Sequence, residues 1–149
     1  MTPLVRHVSF LCAAAAAAAI ACVLAGCGSS RPLAAAPARS VHVKEKDFRI
    51  LLEPARIPAG PVRLVVRNGG PADHELIVVR ARPAGLPVRT DGLTVNEEAL
   101  EPSTVTTLEP AGPGAVRHVD VTLKPGTYEL FCNMAGHFMG GMRAFLVVT

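Results

Sequence analysis

The chain consists of short runs of β-branched and aliphatic residues cut apart by proline and glycine, and this punctuation limits what it can fold into. Val116-Arg-His-Val-Asp-Val-Thr-Leu123 alternates, which places Val119, Val121 and Leu123 on one face. Val62–Asn68, Glu75–Arg80, Thr127–Cys132 and Arg143–Thr149 are further runs, and Val41–Leu52 reads as one or two more. Between them stand Pro58-Ala-Gly-Pro61, Asn68-Gly-Gly-Pro-Ala-Asp73 and Lys124-Pro-Gly126, all turn sequences. Many short strands with such breaks make an all-β sandwich or barrel. Asn96-Glu-Glu-Ala-Leu-Glu101 suffices for one helical turn and is too short to be stable alone. Residues 81–113 otherwise form a Pro- and Gly-rich excursion with no role evident in the sequence. There is no Trp and one Tyr, so aliphatic side chains must fill the core.

The first 26 residues read as an address. Arg6 and His7 form a basic start, Val8–Ala25 is apolar and uncharged, and the stretch ends in Leu24-Ala-Gly-Cys27. Basic start, apolar centre and small residues at the cut are the parts of a secretory signal. The last four residues resemble the lipobox of bacterial lipoproteins, which implies a lipid-acylated Cys27 as the mature N-terminus. An ordinary signal peptide and an uncleaved span are the plainer readings. Acylation anchors a chain to a bacterial membrane on its extracytoplasmic side, in the periplasm or at the cell surface. Residues 27–40 then form a flexible Ala/Pro linker. Extended at about 3.1 Å per residue, its residues 29–40 reach roughly 35–40 Å. Residues 41–149 are left as one domain with one core.

Cysteine usage sharpens the reading. Cys12 and Cys22 fall in the signal and Cys27 takes the lipid, so Cys132 is the one thiol left for the domain. In an oxidising compartment it has no internal disulfide partner; it is a buried inert thiol or a ligand. The charge, +3 overall, is bland, and no basic cluster interleaved with aromatics points to nucleic acid.

Cys132 opens the loop Cys-Asn-Met-Ala-Gly-His137-Phe-Met-Gly-Gly-Met142, with spacing Cys-x4-His-x4-Met. A thiolate, an imidazole and a weak thioether are the ligand set of a blue-copper electron-transfer site, which also needs a second His. His74, opening a strand after a turn, is the candidate. His42 and His118 alternate with Lys44 and Asp120 and so face solvent. Met134 and Met139 compete with Met142 for the axial position, but each is only two residues from another ligand, which leaves little loop to close over a metal. Gly136, Gly140 and Gly141 permit the tight backbone this loop needs. Met134, Ala135, Phe138 and Met139 form an apolar patch around His137, either core packing or a docking face for redox proteins.

Three features resemble the cupredoxin family: the Cys-x4-His-x4-Met loop near the C-terminus, Pro125-Gly-Thr-Tyr128 leading into the Cys strand, and Asn68-Gly-Gly-Pro-Ala-Asp-His74 where that family places its first His. The resemblance spans residues 41–149. It implies an eight-stranded Greek-key sandwich and one type 1 copper ion held by His74, Cys132, His137 and axial Met142. Single electrons would pass through the edge of His137. Where the family commonly has an Asn after its first His, this chain has Glu75, and Asn133 follows Cys132. The expectation is a swapped pair in which Glu75 accepts from the side chain or backbone N–H of Asn133, orienting the ligands.

The resulting expectation is a membrane-tethered, monomeric electron carrier and not an enzyme, since a copper enzyme needs a second site and spare histidines. The alternative is a chaperone or resistance protein that holds Cu(I) through Met134, Met139, Met142 and His137.

Overall fold

The computed structural model describes residues 39–149; the signal segment, Cys27 and nearly all of the linker lie outside the described residues. Nine strands form the domain: β1 Ser40–Lys46, β2 Arg49–Glu53, β3 Arg56–Ile57, β4 Gly60–Asn68, β5 His74–Arg80, β6 Thr104–Ala111, β7 Val116–Leu123, β8 Gly126–Phe131 and β9 Arg143–Val148. They make two sheets, ordered β2-β1-β4-β7 and β3-β9-β8-β5-β6. The ninth strand over the eight expected is covered by the two-residue β3, which pairs in parallel with β9.

Period-two alternation builds the sandwich interior. In β1 Val41, Val43 and Glu45 turn inward, and in β4 Val62, Leu64 and Val66 do so. They join Leu76 and Val78 of β5, Leu130 of β8 and Leu146 of β9 in one aliphatic core, which also contains Cys132 and Met142. Burying a side chain of this size contributes about 1.5–3 kcal/mol, so the core holds without Trp. Val119 and Val121 are half-buried against it and Leu123 is buried, on the face that their alternation assigns.

Glu75-Leu-Ile-Val-Val-Arg80 reads as a nearly unbroken apolar run because β5 is covered on both faces. Leu76 and Val78 face the sandwich, whereas Ile77 and Val79 join a second cluster with Leu86, Val95, Leu100, Phe131 and Phe138. The excursion at 81–113 therefore has two parts. Its first part lays Leu86, Val95 and the 3-10 turn Glu98–Ser103 over the second sheet. Its second part is an unanticipated strand, β6, antiparallel to β5. Only shallow alternation and Pro110 mark β6 in the sequence, as befits an edge strand.

Parallel pairing of β1 with β4 puts the β1–β2 and β4–β5 turns at one end of the sandwich, and antiparallel pairing of β8 with β5 and β9 brings the β8–β9 loop beside the start of β5. Among the described residues, no helix is long and apolar enough to cross a membrane.

Candidate metal centre

The β8–β9 loop is folded by its own backbone. His137 N–H donates to Met134 O at 2.8 Å, Gly140 N–H to Gly136 O at 2.8 Å and Met142 N–H to His137 O at 2.9 Å. Cys132 N–H closes the base of the loop on Met142 O at 3.2 Å. Gly136 and Gly141 have φ of 80° and 100°, where a side chain would be strained. Gly140 is needed for a different reason: a Cβ there would overlap the Phe48 ring.

This folding brings Cys132 Sγ to 3.5 Å from His137 Nδ1. Metal–sulfur and metal–nitrogen bonds of about 2.3 and 2.0 Å, meeting at roughly 110°, span about 3.5 Å, so the pair fits one shared ion. The His74 ring lies 5.2 Å from the His137 ring, centroid to centroid. His74 is fully buried, with Nδ1 3.0 Å from Asn68 Oδ1. Its Nε2 is 3.0 Å from Asp47 Oδ1, yet the angle is poor and neither atom has a hydrogen-bond partner. Both ring nitrogens thus stand 3.0 Å from a polar side chain, and Nε2 is the one that makes no hydrogen bond. Thiol, imidazole and thioether donors suit copper, the soft-ligand case; the structure closes Cys132 and His137 on one point, whereas among the described residues no three His, Cys, Asp or Glu donors converge. Met142 is fully buried beside Cys132 in the core, Met134 is part-buried and Met139 is 53% exposed. Met134 packs against the cluster that holds Met142 and Cys132, whereas Met139 lies at the surface.

Burial governs the protonation states. It pushes the Cys132 thiol up to about 11, with the Met134 and Glu75 backbone N–H groups pulling the other way. It lowers His74, with the charge of His137 adding to the effect and Asp47 opposing it. A neutral imidazole is the form that ligates. Burial also raises Glu75, and the nearby Glu97 carboxylate raises it further.

Of the two donors expected to meet Glu75, the backbone one does: Asn133 N–H donates to Glu75 Oε1 at 3.1 Å. The Asn133 side chain turns away, to Val95 and to Glu97 Oε1 at 2.7 Å. The apolar patch divides between the two readings, Phe138 in the core and Met139 at the surface. Phe138 is buried, packed edge-on at 5.5 Å against Phe131, because its backbone places it on the second core cluster. Its place beside His137 is taken by Phe48, 54% exposed, with ring centroids 5.6 Å apart.

Three contributors escaped the sequence reading. Asn68 reads as an ordinary turn residue, yet it is fully buried and also donates to Ala72 O and Ala111 O. Asp47 and Phe48 form a two-residue β-turn, and nothing in a local pattern says that such a turn closes over a site.

The two-sheet arrangement, with the loop closing one end, has clear relatives among solved structures. Auracyanin B is 24% identical with a TM-score of 0.58, covering 76% of this chain and 90% of that one. The chain has the cupredoxin fold. Auracyanin A, a "blue" copper protein from the green thermophilic photosynthetic bacterium Chloroflexus aurantiacus, is 18% identical with a TM-score of 0.54, covering 74% and 98%. Reduced rusticyanin is 19% identical with a TM-score of 0.54, covering 74% and 79%. No protein-family model matches the chain, and no curated protein matches it. At these identities the likeness speaks for the cupredoxin fold alone.

Proposed function

We propose that this cupredoxin-fold domain carries single electrons between extracytoplasmic redox proteins through one type 1 copper ion, tethered to the membrane by lipid on Cys27. The observation that carries the reading is the 3.5 Å approach of Cys132 Sγ to His137 Nδ1 in a loop that backbone bonds and glycines hold rigid. His74, Cys132, His137 and Met142 are the proposed ligands. Bound copper supplies the one-electron couple. The protein keeps Cys132 and Met142 dry in the aliphatic core, holds His74 neutral by burial, and leaves His137 half-buried at the surface as the route for the electron. Glu75 fixes the backbone after Cys132, so the sulfur cannot drift when charge changes. Fixed ligands suit a carrier because little must move on electron transfer. The Cu(I)-chaperone alternative asks for several methionine sulfurs on one ion, and it is the weaker reading because Met139 is 53% exposed while Met142 is fully buried.

Loading the chain lacking residues 1–27 with Cu(II) tests the reading. An intense blue or green thiolate band is expected, and Cys132→Ser should abolish it. Colour that survives this substitution refutes the proposal. For the tether, Cys27→Ser should release the protein from membranes and stop incorporation of labelled fatty acid.

A further inference from the structure

The outer face of the first sheet is cationic beside the His137 edge. Strand register sets two rows across it, Leu51–Lys44–Arg67–Val116 and Glu53–His42–Val65–His118. Lys44 and Arg67 stand directly opposite one another, an arrangement that destabilises a sheet. Among the described residues neither has a carboxylate partner, nor do Lys46 and Arg49 in the adjoining turn region. The rows enclose a groove of about 440 Å³ with Leu51, Val65 and Val116 as its apolar lining. Leu51 is 48% and Val116 57% exposed, so this is apolar surface left open.

Two contacts make the band continuous with the proposed electron route. The Lys44 stem lies over Gly69, in the turn that leads to His74. Arg49 follows Phe48, whose ring meets His137 edge-on. A body covering His137 therefore also reaches Arg49, Lys44 and Arg67. Of the anions there, Asp120 is held by Arg63 through two 2.7 Å bonds, Asp47 in the β1–β2 turn stands 3.0 Å from His74 Nε2, and Glu53 lines the groove in the row farther from the turn.

We propose that this face docks an acidic redox protein, whose carboxylates seat on Lys44 and Arg67 while an apolar centre meets Phe48 and Met139 around His137. The proposal rests on the electron-carrier reading. One electron leaves the reduced partner and enters the oxidised domain; no bond is made or broken. An anionic membrane fits the charge but not the shape, because the groove is concave and a bilayer that took in Phe48 would cover His137.

The full chain tests this in two ways, with an acidic two-iron ferredoxin as the probe. Amide shifts on adding the ferredoxin should centre on Lys44, Leu51, Arg67, Val116 and the β1–β2 turn. They should vanish when salt is raised from about 10 to about 200 mM, as screening takes hold. They should also vanish in K44E/R67E. Reduction of the copper-loaded chain by the same ferredoxin should slow about tenfold in K44E/R67E at low salt, the scale of electrostatic steering. Reduction by uncharged hydroquinone should not change. Shifts centred elsewhere, or a ferredoxin rate indifferent to salt and to the double variant, overturn the proposal. So does binding to vesicles of anionic phospholipid that depends on Lys44 and Arg67 without ferredoxin shifts, which would give the face to a membrane. If copper fails to load, the electron-transfer rates are lost but the shift map still decides docking, so the two readings fail separately.

Discussion

The side-chain amide of Asn133 pairs with the backbone of Val95 at both ends: Oδ1 accepts from Val95 N–H at 2.6 Å, and Nδ2 donates to Val95 O at 3.1 Å. The residue after Cys132 thereby fastens the long excursion to the metal loop, and Gly136 N–H adds a bond to Leu93 O at 3.0 Å. Asn133→Ala strands two buried backbone groups, so a loss of about 3 kcal/mol is expected, read as a lower urea midpoint at unchanged slope. Asn133→Asp should lose more at pH 7, because a carboxylate would then face Glu97 Oε1 and Val95 O. Glu97→Gln should restore part of that loss, and strictly additive effects would rule out the coupling.

This clasp marks the limit of what the sequence discloses. Alternation in β1, β4 and β7 reports which side chains turn inward, because one face of each strand meets the core. The Cys132–His137–Met142 spacing is equally legible, since one short loop supplies all three. Asn68, Asp47 and Asn133 act across distance in the chain: Asn68 bonds Ala111, and Asn133 bonds Val95. No period or spacing records such partners. For Phe138 the sequence leaves core and surface both open, for the related reason that an apolar residue in a loop does not state which cluster it joins. The nearly unbroken apolar run of β5 did carry the information that both its faces are covered, and Leu86, Val95 and Leu100 are what covers the second.

Phe48 and Gly140 depend on each other. Phe48 has φ of 61°, unusual for a side chain of this bulk, and its ring occupies the space where a Cβ on Gly140 would lie. Gly140→Ala should cost about 1–3 kcal/mol, as overpacking does. Phe48→Gly alone relieves backbone strain and loses packing, so a net change within about 1 kcal/mol is expected. In the double variant the Gly140→Ala cost should largely disappear. Equal costs for Gly140→Ala in the two backgrounds, measured by thermal or urea unfolding, would show that the ring is not what excludes the methyl.

Glu129 sets a pH dependence that can be read separately from the metal centre. It is 2% exposed, with Arg143 Nη1 3.7 Å from Oε1, too far for a hydrogen bond. Burial raises its pKa above the ordinary 4.5, with Arg143 opposing. The folded state then holds this proton more tightly than the unfolded one. The contribution of Glu129 to stability is fully present below pH 4.5 and is lost as pH rises through the raised value. Glu129→Gln should stabilise the domain at pH 7 by about 1 kcal/mol, the scale of a typical single substitution. The gain should fade below pH 4.5. A gain that is constant from pH 4 to pH 8 would place its origin in packing.

Glu45 and Arg117 form an internal ion pair that is only half satisfied. Glu45 is fully buried, and its Oε2 meets Arg117 Nη2 at 2.6 Å, whereas Oε1 and Arg117 Nε have no hydrogen-bond partner. Burial raises the Glu45 pKa above 4.5 although Arg117 works against it. Removing the cation leaves the carboxylate alone in the aliphatic core, a loss of about 3–5 kcal/mol when it is ionised. Arg117→Met should therefore be strongly destabilising at pH 7. Without Arg117 the folded-state pKa rises further, so the deficit should shrink as pH falls toward 4.5, where the proton neutralises the buried group. Glu45→Met/Arg117→Met replaces both partners with apolar groups and should recover most of the parent's stability or exceed it. A double variant no more stable than Arg117→Met alone at pH 7 would show that packing by the long Arg117 stem, and not the buried charge, carries the effect.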